Sequence, residues 1–156
     1  MALFTIWIDA DSCPALVRNH AVKMGNKLNL KVIFVANKNI PCDLQLPFEM
    51  KICPHQKDSA DNYIIANVKQ NDLVITRDIV FADKLVKKGI ATINDRGTIF
   101  STENTKQLLN DRNFDLQLAQ IGLVKHFNEG YDKKKFSNFA NAFDKTINKL
   151  LKNQQL

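Results

Sequence analysis

The sequence lacks the features that would set it apart from ordinary globular proteins. No apolar run approaches the ~20 residues needed to cross a bilayer, and the opening MALFTIWIDAD reaches an acid too early to predict a signal peptide. Glycine and proline are scarce, at 5 and 4 of 156 residues, which argues against disordered and fibrous chains. The 3 cysteines are an odd number without the spacing of a disulfide framework, which favours a reducing cytoplasm.

Several common catalytic and metal-binding patterns are also missing. The chain has no Gly-rich phosphate loop and no G-x-S-x-G elbow. Cys42, Cys53 and His55 lack the paired spacing of a zinc site. Cys13 stands at a predicted helix start, but no histidine is near it in sequence, so we interpret it as a small buried residue. Nucleophilic and zinc chemistry are therefore poorly supported.

The chain is basic, with a formal net charge of +6 at pH 7. A basic surface attracts polyanions, so nucleic acid or another phosphate-bearing partner gains weight, although many basic proteins bind none.

Strands alternate with helices through the first two-thirds of the chain, which predicts a mainly parallel α/β sheet covered by helices on both faces. The predicted strands are 4–8, 30–36, 49–53, 72–76 and 90–94, and the predicted helices are 14–26, 58–70 and 79–88.

The remainder of the chain predicts a helical C-terminal extension on a single domain, with a core of about 1–100 and an extension of about 101–156. The stretch 96–100 is a candidate edge strand. Ser101 or Thr102 opens one or two further helices. The last helix, over 131–153, carries apolar residues at three- and four-residue spacing, and we expect this stripe to pack on the domain rather than to meet a partner. Its members are Phe136, Phe139, Phe143, Ile147 and Leu150.

Aspartates stand where the predicted strands end. Asp9 and Asp11 follow the first strand, and Asp78 follows the stretch DLVIT. Asp58 and Asp61 begin the helix that leads into that strand, and they share one face of its first turn. Because ligands of open parallel sheets gather beyond the carboxyl ends of the strands, we expect these acids to converge.

Helix capping is the competing interpretation of the same residues. Asp11 or Ser12 could cap the helix that begins at Pro14, Asp58 or Ser59 the next, and Asp78 the third. Each such cap or dipole contact contributes a few tenths to ~1 kcal/mol. Four carboxylates crowded at one sheet edge would repel, however, unless a cation or protonation offsets their charge.

One or two Mg²⁺ or Mn²⁺ ions would resolve that repulsion, since both prefer oxygen ligands and can activate water for phosphodiester cleavage. Ser12, Asn37 and Thr76 suit a supporting shell, with Asp58 as a weaker member. Candidate phosphate contacts, each of which could equally be a solvated surface residue, are Arg18, Lys38, Lys57, Arg77 and Arg96.

The motifs WIDADSCP, VAN, DSADNYI, DLVITRDIVFADKLVKKG, NDRGTIFSTEN and FANAFDK occur in this order over nearly the whole chain. Together they resemble the YaiI/YqxD family of uncharacterised bacterial proteins, which is similar to PIN-like domains, metal-dependent nucleases with a parallel α/β sheet. The resemblance implies a PIN-like domain in which Asp9, Asp61 and Asp78 hold the metal and Asp11 completes the cluster. The stretch LVKHFNEGYDKKK departs from the Gly- and Pro-rich segment usual in relatives, which puts a role of residues 122–135 in substrate contact in doubt.

These observations lead us to expect a cytoplasmic Mg²⁺- or Mn²⁺-dependent nuclease that acts on RNA more readily than on DNA. Two other functions stay open. WIDAD also resembles the D-x-D of phosphatases that use an aspartate nucleophile, for which IATIND offers a weak match to the later acidic pair. A binding module could instead use the same acids to hold a structural ion or to cap helices, and its basic surface to bind RNA without cutting it.

Overall fold

The computed structural model describes residues 3–42, 44–122 and 130–154. Its strands are β1 (Thr5–Asp9), β2 (Lys31–Ala36), β3 (Glu49–Ile52), β4 (Leu73–Ile75) and β5 (Ala91–Ile93). Its α-helices are α1 (Ala15–Lys27), α2 (Ser59–Asn67), α3 (Ile79–Lys87), α4 (Thr102–Gln120) and α5 (Lys133–Gln154), and a 3₁₀ turn covers Ala10–Ser12.

The five strands form one sheet in the order β3-β2-β1-β4-β5, and every neighbouring pair is parallel. The chain leaves the central strand β1 toward β2 and β3, and later returns to the other side of β1 with β4 and β5. The α/β class with a parallel sheet, flanking helices and a helical C-terminal part is therefore confirmed. This strand order opens a crevice outside the carboxyl ends of β1 and β4, where the direction of winding reverses.

The central strand is buried on both faces because its side chains alternate between two cores. Ile6 and Ile8 pack with α1 and α5 on one side of the sheet, and Trp7 packs with α2 and α3 on the other. The Asp72 carboxylate accepts hydrogen bonds from the indole Nε1 of Trp7 at 3.0 Å and from the Thr5 backbone N–H at 2.9 Å. Asp72 therefore joins the entrances of β1 and β4 at the amino end of the sheet.

The C-terminal helix covers one face of the domain, as its apolar stripe predicts. Phe139, Phe143, Ile147 and Leu150 are buried in the core, and Phe136 packs at its edge. The ring of His20 on α1 lies against three of these phenylalanines, with centroids 5.3–5.9 Å apart. Within the described residues, no helix combines the length and apolar character needed to cross a membrane.

Two local predictions were wrong, and both have a physical explanation. Residues 96–100 form no strand, only one antiparallel bridge between Ile93 and Ile99. Gly97 lies there at φ +93°, a turn conformation that breaks regular pairing. Helix α2 ends at Asn67 rather than at residue 70, because Val68 is extended and the Lys69 N–H is bound by the Asp72 carboxylate at 2.9 Å.

Candidate functional site

Asp9 ends the central strand and lies at the crevice between β1 and β4. Its Oδ2 accepts a hydrogen bond from the Thr76 hydroxyl at 2.9 Å, which links the carboxyl ends of the two strands. Burial raises the pKa of Asp9, the Thr76 hydrogen bond opposes this, and the charges of Asp11 and Asp78 raise the pKa further. The carboxylate is thus held in one orientation in a setting that disfavours its negative charge.

Asp11 lies in the 3₁₀ turn that follows β1, and it is bound to the end of β2. The Asn37 backbone N–H is 3.1 and 2.9 Å from the two carboxylate oxygens. The 3₁₀ turn ends at Ser12, and Cys13 is extended. Cys13 precedes Pro14, and a residue before proline disfavours the helical conformation. The charge of Asp11 therefore stays exposed at the mouth of the crevice, close to Asn37.

Asp78 follows β4 and begins α3. Its Oδ1 accepts the Phe81 N–H at 3.2 Å, and its own N–H donates to the Thr76 hydroxyl at 3.1 Å. Thr76 thus connects two acids, since its hydroxyl donates to Asp9 and accepts from Asp78.

Asp61 enters the same region from the first turn of α2. Its pKa is raised to about 7, first by burial and then by the charges of Asp9, Asp78 and Asp58, while Lys84 acts in the opposite direction. Asp61 thus responds to the charges of Asp9 and Asp78, which stand in two other segments of the chain.

These side chains border one open cleft of about 190 Å³ at the carboxyl edge of the sheet. The residues that line the cleft are Asp9, Asp11, Asn37, Gln56, Asp58, Ser59, Ala60, Asp61 and Asp78. Over the described residues, however, no three carboxylate, imidazole or thiolate side chains are close enough to form a ready-made ligand set. The acids therefore surround a shared space without being drawn together at one point.

Helix capping accounts for only one of these acids. Asp78 caps α3. At α1 the capping position is occupied by Pro14, so the prediction that Asp11 or Ser12 caps that helix is wrong. At α2 the capping position is occupied by Asp58, which adopts φ +61° and forms no hydrogen bond from its side chain to the helix. The prediction that Asp58 or Ser59 caps α2 is therefore wrong as well. Asp9, Asp11 and Asp61 consequently have no capping role that explains their place in the cleft.

Ser12 lies outside the cleft. It lines a separate small cavity behind Asp9, together with Cys13, Thr76, Arg77 and Asp95. Cys13 is only half-buried, contrary to the interpretation as a buried residue, but desolvation raises the pKa of its thiol to about 12, which argues against a reactive thiolate. No disulfide forms, since Cys13, Cys42 and Cys53 are all free thiols.

Asp95 is a buried acid that the sequence reasoning did not place at the site. Its Oδ2 accepts from the Arg77 Nε at 3.2 Å and Nη2 at 2.5 Å, and its backbone carbonyl accepts from the Tyr131 hydroxyl at 2.5 Å. Its position just beyond the predicted strand β5 could have identified it, because Asp9 and Asp78 were selected as acids at the carboxyl ends of strands and Asp95 satisfies the same rule. The ion pair with Arg77 explains why Asp95 does not join the cleft.

The candidate phosphate contacts are dispersed. Lys38 and Lys57 are exposed, and each adjoins a residue that lines the cleft. Arg77 is engaged by Asp95. Arg18 donates to the Cys13 backbone carbonyl, and Arg96 is exposed beyond β5. Of the five predicted contacts, Lys38 and Lys57 are therefore the ones next in sequence to the acidic cleft, and Lys84, which the sequence reasoning did not select, acts on the charge of Asp61 there. The variable segment 122–135 lies in part outside the described residues, at 123–129.

Comparison with known proteins gives matches along nearly the whole chain. The sequence profile described as an uncharacterised family, YaiI/YqxD, matches residues 7–149. A UPF0178 protein of Treponema denticola is 42% identical over 151 residues, which cover 97% of this chain and 96% of the relative. A UPF0178 protein of Psychromonas ingrahamii is 37% identical over 95% of this chain and 98% of the relative. No solved structure matches the chain.

Proposed function

The chain belongs to the YaiI/YqxD family, and from its acidic cleft we propose that it is a Mg²⁺- or Mn²⁺-dependent nuclease. One observation carries the proposal. Asp9, Asp11, Asp61 and Asp78 come from three different segments and border one cleft at the switch point of the parallel sheet. Concentrating like charges there disfavours the metal-free protein, and a bound cation would remove that cost.

The oxygen atoms that line the cleft are suitable ligands for a hard divalent cation. The cleft offers carboxylate, amide and hydroxyl oxygens, which Mg²⁺ and Mn²⁺ prefer. Asp9, Asp61 and Asp78 would hold one or two ions, after side-chain movements that bring their oxygens closer together. A bound ion would supply charge stabilisation and a more acidic water for attack on a phosphodiester.

The protein's own residues orient the groups around that chemistry. Thr76 fixes one oxygen of Asp9, and Asn37 fixes Asp11, which would orient the attacking water. Hydrogen bonds of this kind hold carboxylates at a defined angle and are the usual support of metal ligands. Ser59 contributes indirectly, because its hydroxyl lies 3.2 Å from the Asn37 side-chain oxygen.

Nucleic acid is the substrate class that we propose. The net charge of +6 attracts polyanions, and Lys38 and Lys57 stand beside the cleft, where a phosphate backbone would pass. The preference for RNA over DNA is an analogy with PIN-like domains. We further propose a cytoplasmic location, with which the three free thiols agree.

The two alternatives gain less support. A phosphatase with Asp9 as nucleophile would use a later acid beyond the sheet, and the carboxylate of Asp95 at that position is held in an ion pair with Arg77. A binding module whose acids serve only as helix caps would leave the crowding of acids at the cleft unexplained, because Asp78 alone makes such a cap among them.

Calorimetric titration with Mn²⁺ tests the metal site directly. We expect the wild-type protein to bind Mn²⁺ and Asp9→Asn to lose that binding. Asp115→Asn on the exposed surface of α4 removes the same charge away from the cleft, and it serves as the matched control. Equal binding by wild type and Asp9→Asn would refute the assignment of the site.

The activity test uses a single-stranded RNA labelled at its 5′ end. We expect internal cleavage in Mg²⁺ or Mn²⁺, none in EDTA, and none with Asp78→Asn, which stays folded because asparagine caps a helix nearly as well as aspartate. Release of phosphate from phenyl phosphate without RNA cleavage would favour the phosphatase. Salt-dependent RNA retention without either reaction would favour the binding module.

A further inference from the structure

A second concave surface lies at the opposite end of the strands from the acidic cleft. It is a groove of about 560 Å³ between α5, the segment that precedes β4 and the entrance of β5. Gln70 and Asn71 stand before β4, and Gly89 and Ile90 stand before β5, so the groove lies toward the amino ends of these strands. Its volume falls within the ~300–1,000 Å³ of sites that hold small organic molecules.

The polar groups that border the groove are rich in cations and donors. Lys145 and Lys149 project from successive turns of α5, and neither forms an ion pair with a described residue. Thr146, between them, is only 6% exposed, and its hydroxyl has no hydrogen-bond partner among the described residues. The side-chain Nδ2 of Asn71 is also buried, and it has no hydrogen-bond partner among the described residues.

Unpartnered buried polar groups are rare in native proteins, and each one calls for a ligand or a bound water. Here two of them line the same groove as two lysines, and no aspartate or glutamate of the described part of the chain lines it. A ligand that satisfies this set needs hydrogen-bond acceptors and negative charge.

Part of the remaining wall of the groove is apolar. Ile99 is 38% exposed and Val86 is half-buried, so both present apolar surface to the groove, whereas the neighbouring Ile90, Phe100 and Leu150 are at least nine-tenths buried. A free inorganic anion would leave this wall without a contact, whereas a molecule with an apolar body would cover it.

We propose that this groove is a binding site for a small organic anion, with a carboxylate or phosphate head held by Lys145, Lys149 and Thr146 and an apolar body against Val86 and Ile99. The site is separate from the acidic cleft and does not depend on the function proposed for that cleft.

The test is a titration of ¹⁵N-labelled protein with phenyl phosphate in EDTA, followed by two-dimensional NMR. We expect saturable shifts of the Thr92 and Thr146 amide signals, with half-saturation near ~1 mM for a ligand of this size. Benzoate in a parallel titration decides whether the head is preferentially phosphate or carboxylate. Saturable binding of either one at the groove supports the site, and no saturable shift with either up to about 10 mM overturns it.

Variants and simpler probes separate specific recognition from general attraction. The double variant Lys145→Gln/Lys149→Gln should weaken phenyl phosphate binding at least tenfold. Lys152→Gln, an exposed lysine of the same helix that does not line the groove, should leave it unchanged. An equal loss in both would overturn the proposal, as would equally tight binding of phenol or of inorganic phosphate.

Thr146→Val distinguishes a ligand contact from a packing role. The substitution keeps the shape and removes an unpartnered hydroxyl, so the unliganded protein should be at least as stable in urea as the wild type. Phenyl phosphate binding should nevertheless weaken several-fold. Unchanged affinity in this variant would remove Thr146 from the site, and unchanged affinity in both this variant and the double lysine variant would overturn the site itself.

Discussion

Replacing Asp61 by asparagine should make the metal-free protein more stable above neutral pH. Asp61 has a pKa of about 7 in the folded chain, raised by burial and by the neighbouring carboxylates. In the unfolded chain an aspartate has a pKa of ~3.9. The folded state therefore binds the proton more tightly than the unfolded state, and ionisation of Asp61 opposes folding.

The sign follows from the direction of this pKa change. Between pH ~4 and pH ~7 the folded state carries more protons than the unfolded state, so the contribution of Asp61 to stability falls as pH rises through that window. If the whole pKa difference contributed, ionisation of Asp61 would lower the free energy of unfolding by about 4 kcal/mol at pH 8. Because the half-buried carboxylate contacts solvent, we expect about 1–2 kcal/mol. Asparagine has the same shape and no charge, so Asp61→Asn avoids this cost.

The assay is urea unfolding in EDTA, followed by fluorescence of Trp7, the one tryptophan of the chain, which is buried. We expect Asp61→Asn to raise the free energy of unfolding at pH 8, and at pH 5 by only about a third as much. Asp115→Asn, on the exposed face of α4, should change little at either pH. Saturating Mn²⁺ should stabilise the wild type more than Asp61→Asn, because the ion offsets the same repulsion.

Two results would refute this reasoning. If Asp61→Asn were no more stable than the wild type at pH 8, burial and the neighbouring carboxylates would not raise the pKa of Asp61 in the folded chain. If the gain were equal at pH 5 and pH 8, it would arise from packing or helix propensity rather than from charge.

Three further substitutions are tested in the same urea assay, two at supports of the site and one at the turn beyond β5. Thr76→Val removes the hydroxyl bound to Asp9 and should cost about 1–3 kcal/mol at pH 8, and less at a pH where that carboxyl is protonated; a cost independent of pH would contradict a hydrogen bond to the charged form. Asp95→Asn should cost about 1–2 kcal/mol because Arg77 is partly exposed, and in a double-mutant cycle with Arg77→Gln the effects should not be additive; additive effects would show that the ion pair contributes nothing. Gly97→Ala should cost more than about 2 kcal/mol, because residue 97 has φ +93° and a Cβ there would lie 2.6 Å from a backbone oxygen of α5. A free energy of unfolding close to that of the wild type would show that this contact yields easily.

Much of the fold follows from local patterns in the chain. The apolar run Ile6–Ile8 predicts a strand buried on both faces, and the periodic phenylalanines of α5 predict a helix that packs on the domain, because each pattern directs its own side chains. Errors arose where a local pattern met a tertiary partner. Val68 leaves the helix where Asp72, which Thr5 and Trp7 hold from the neighbouring strand, also binds the Lys69 backbone N–H, and no periodicity within 58–70 records those contacts.

The candidate site shows the same division. Sequence alone determined that aspartates stand at strand ends and helix starts, since position relative to an apolar run is a local property. Only the tertiary structure decided that Asp61 comes within the fields of Asp9 and Asp78, and that Asp95 pairs with Arg77 instead. These outcomes depend on the order of the strands and on which segments cross beside one another. Charges interact through space, so their energies are set by distances between segments that the order of residues along a chain does not contain.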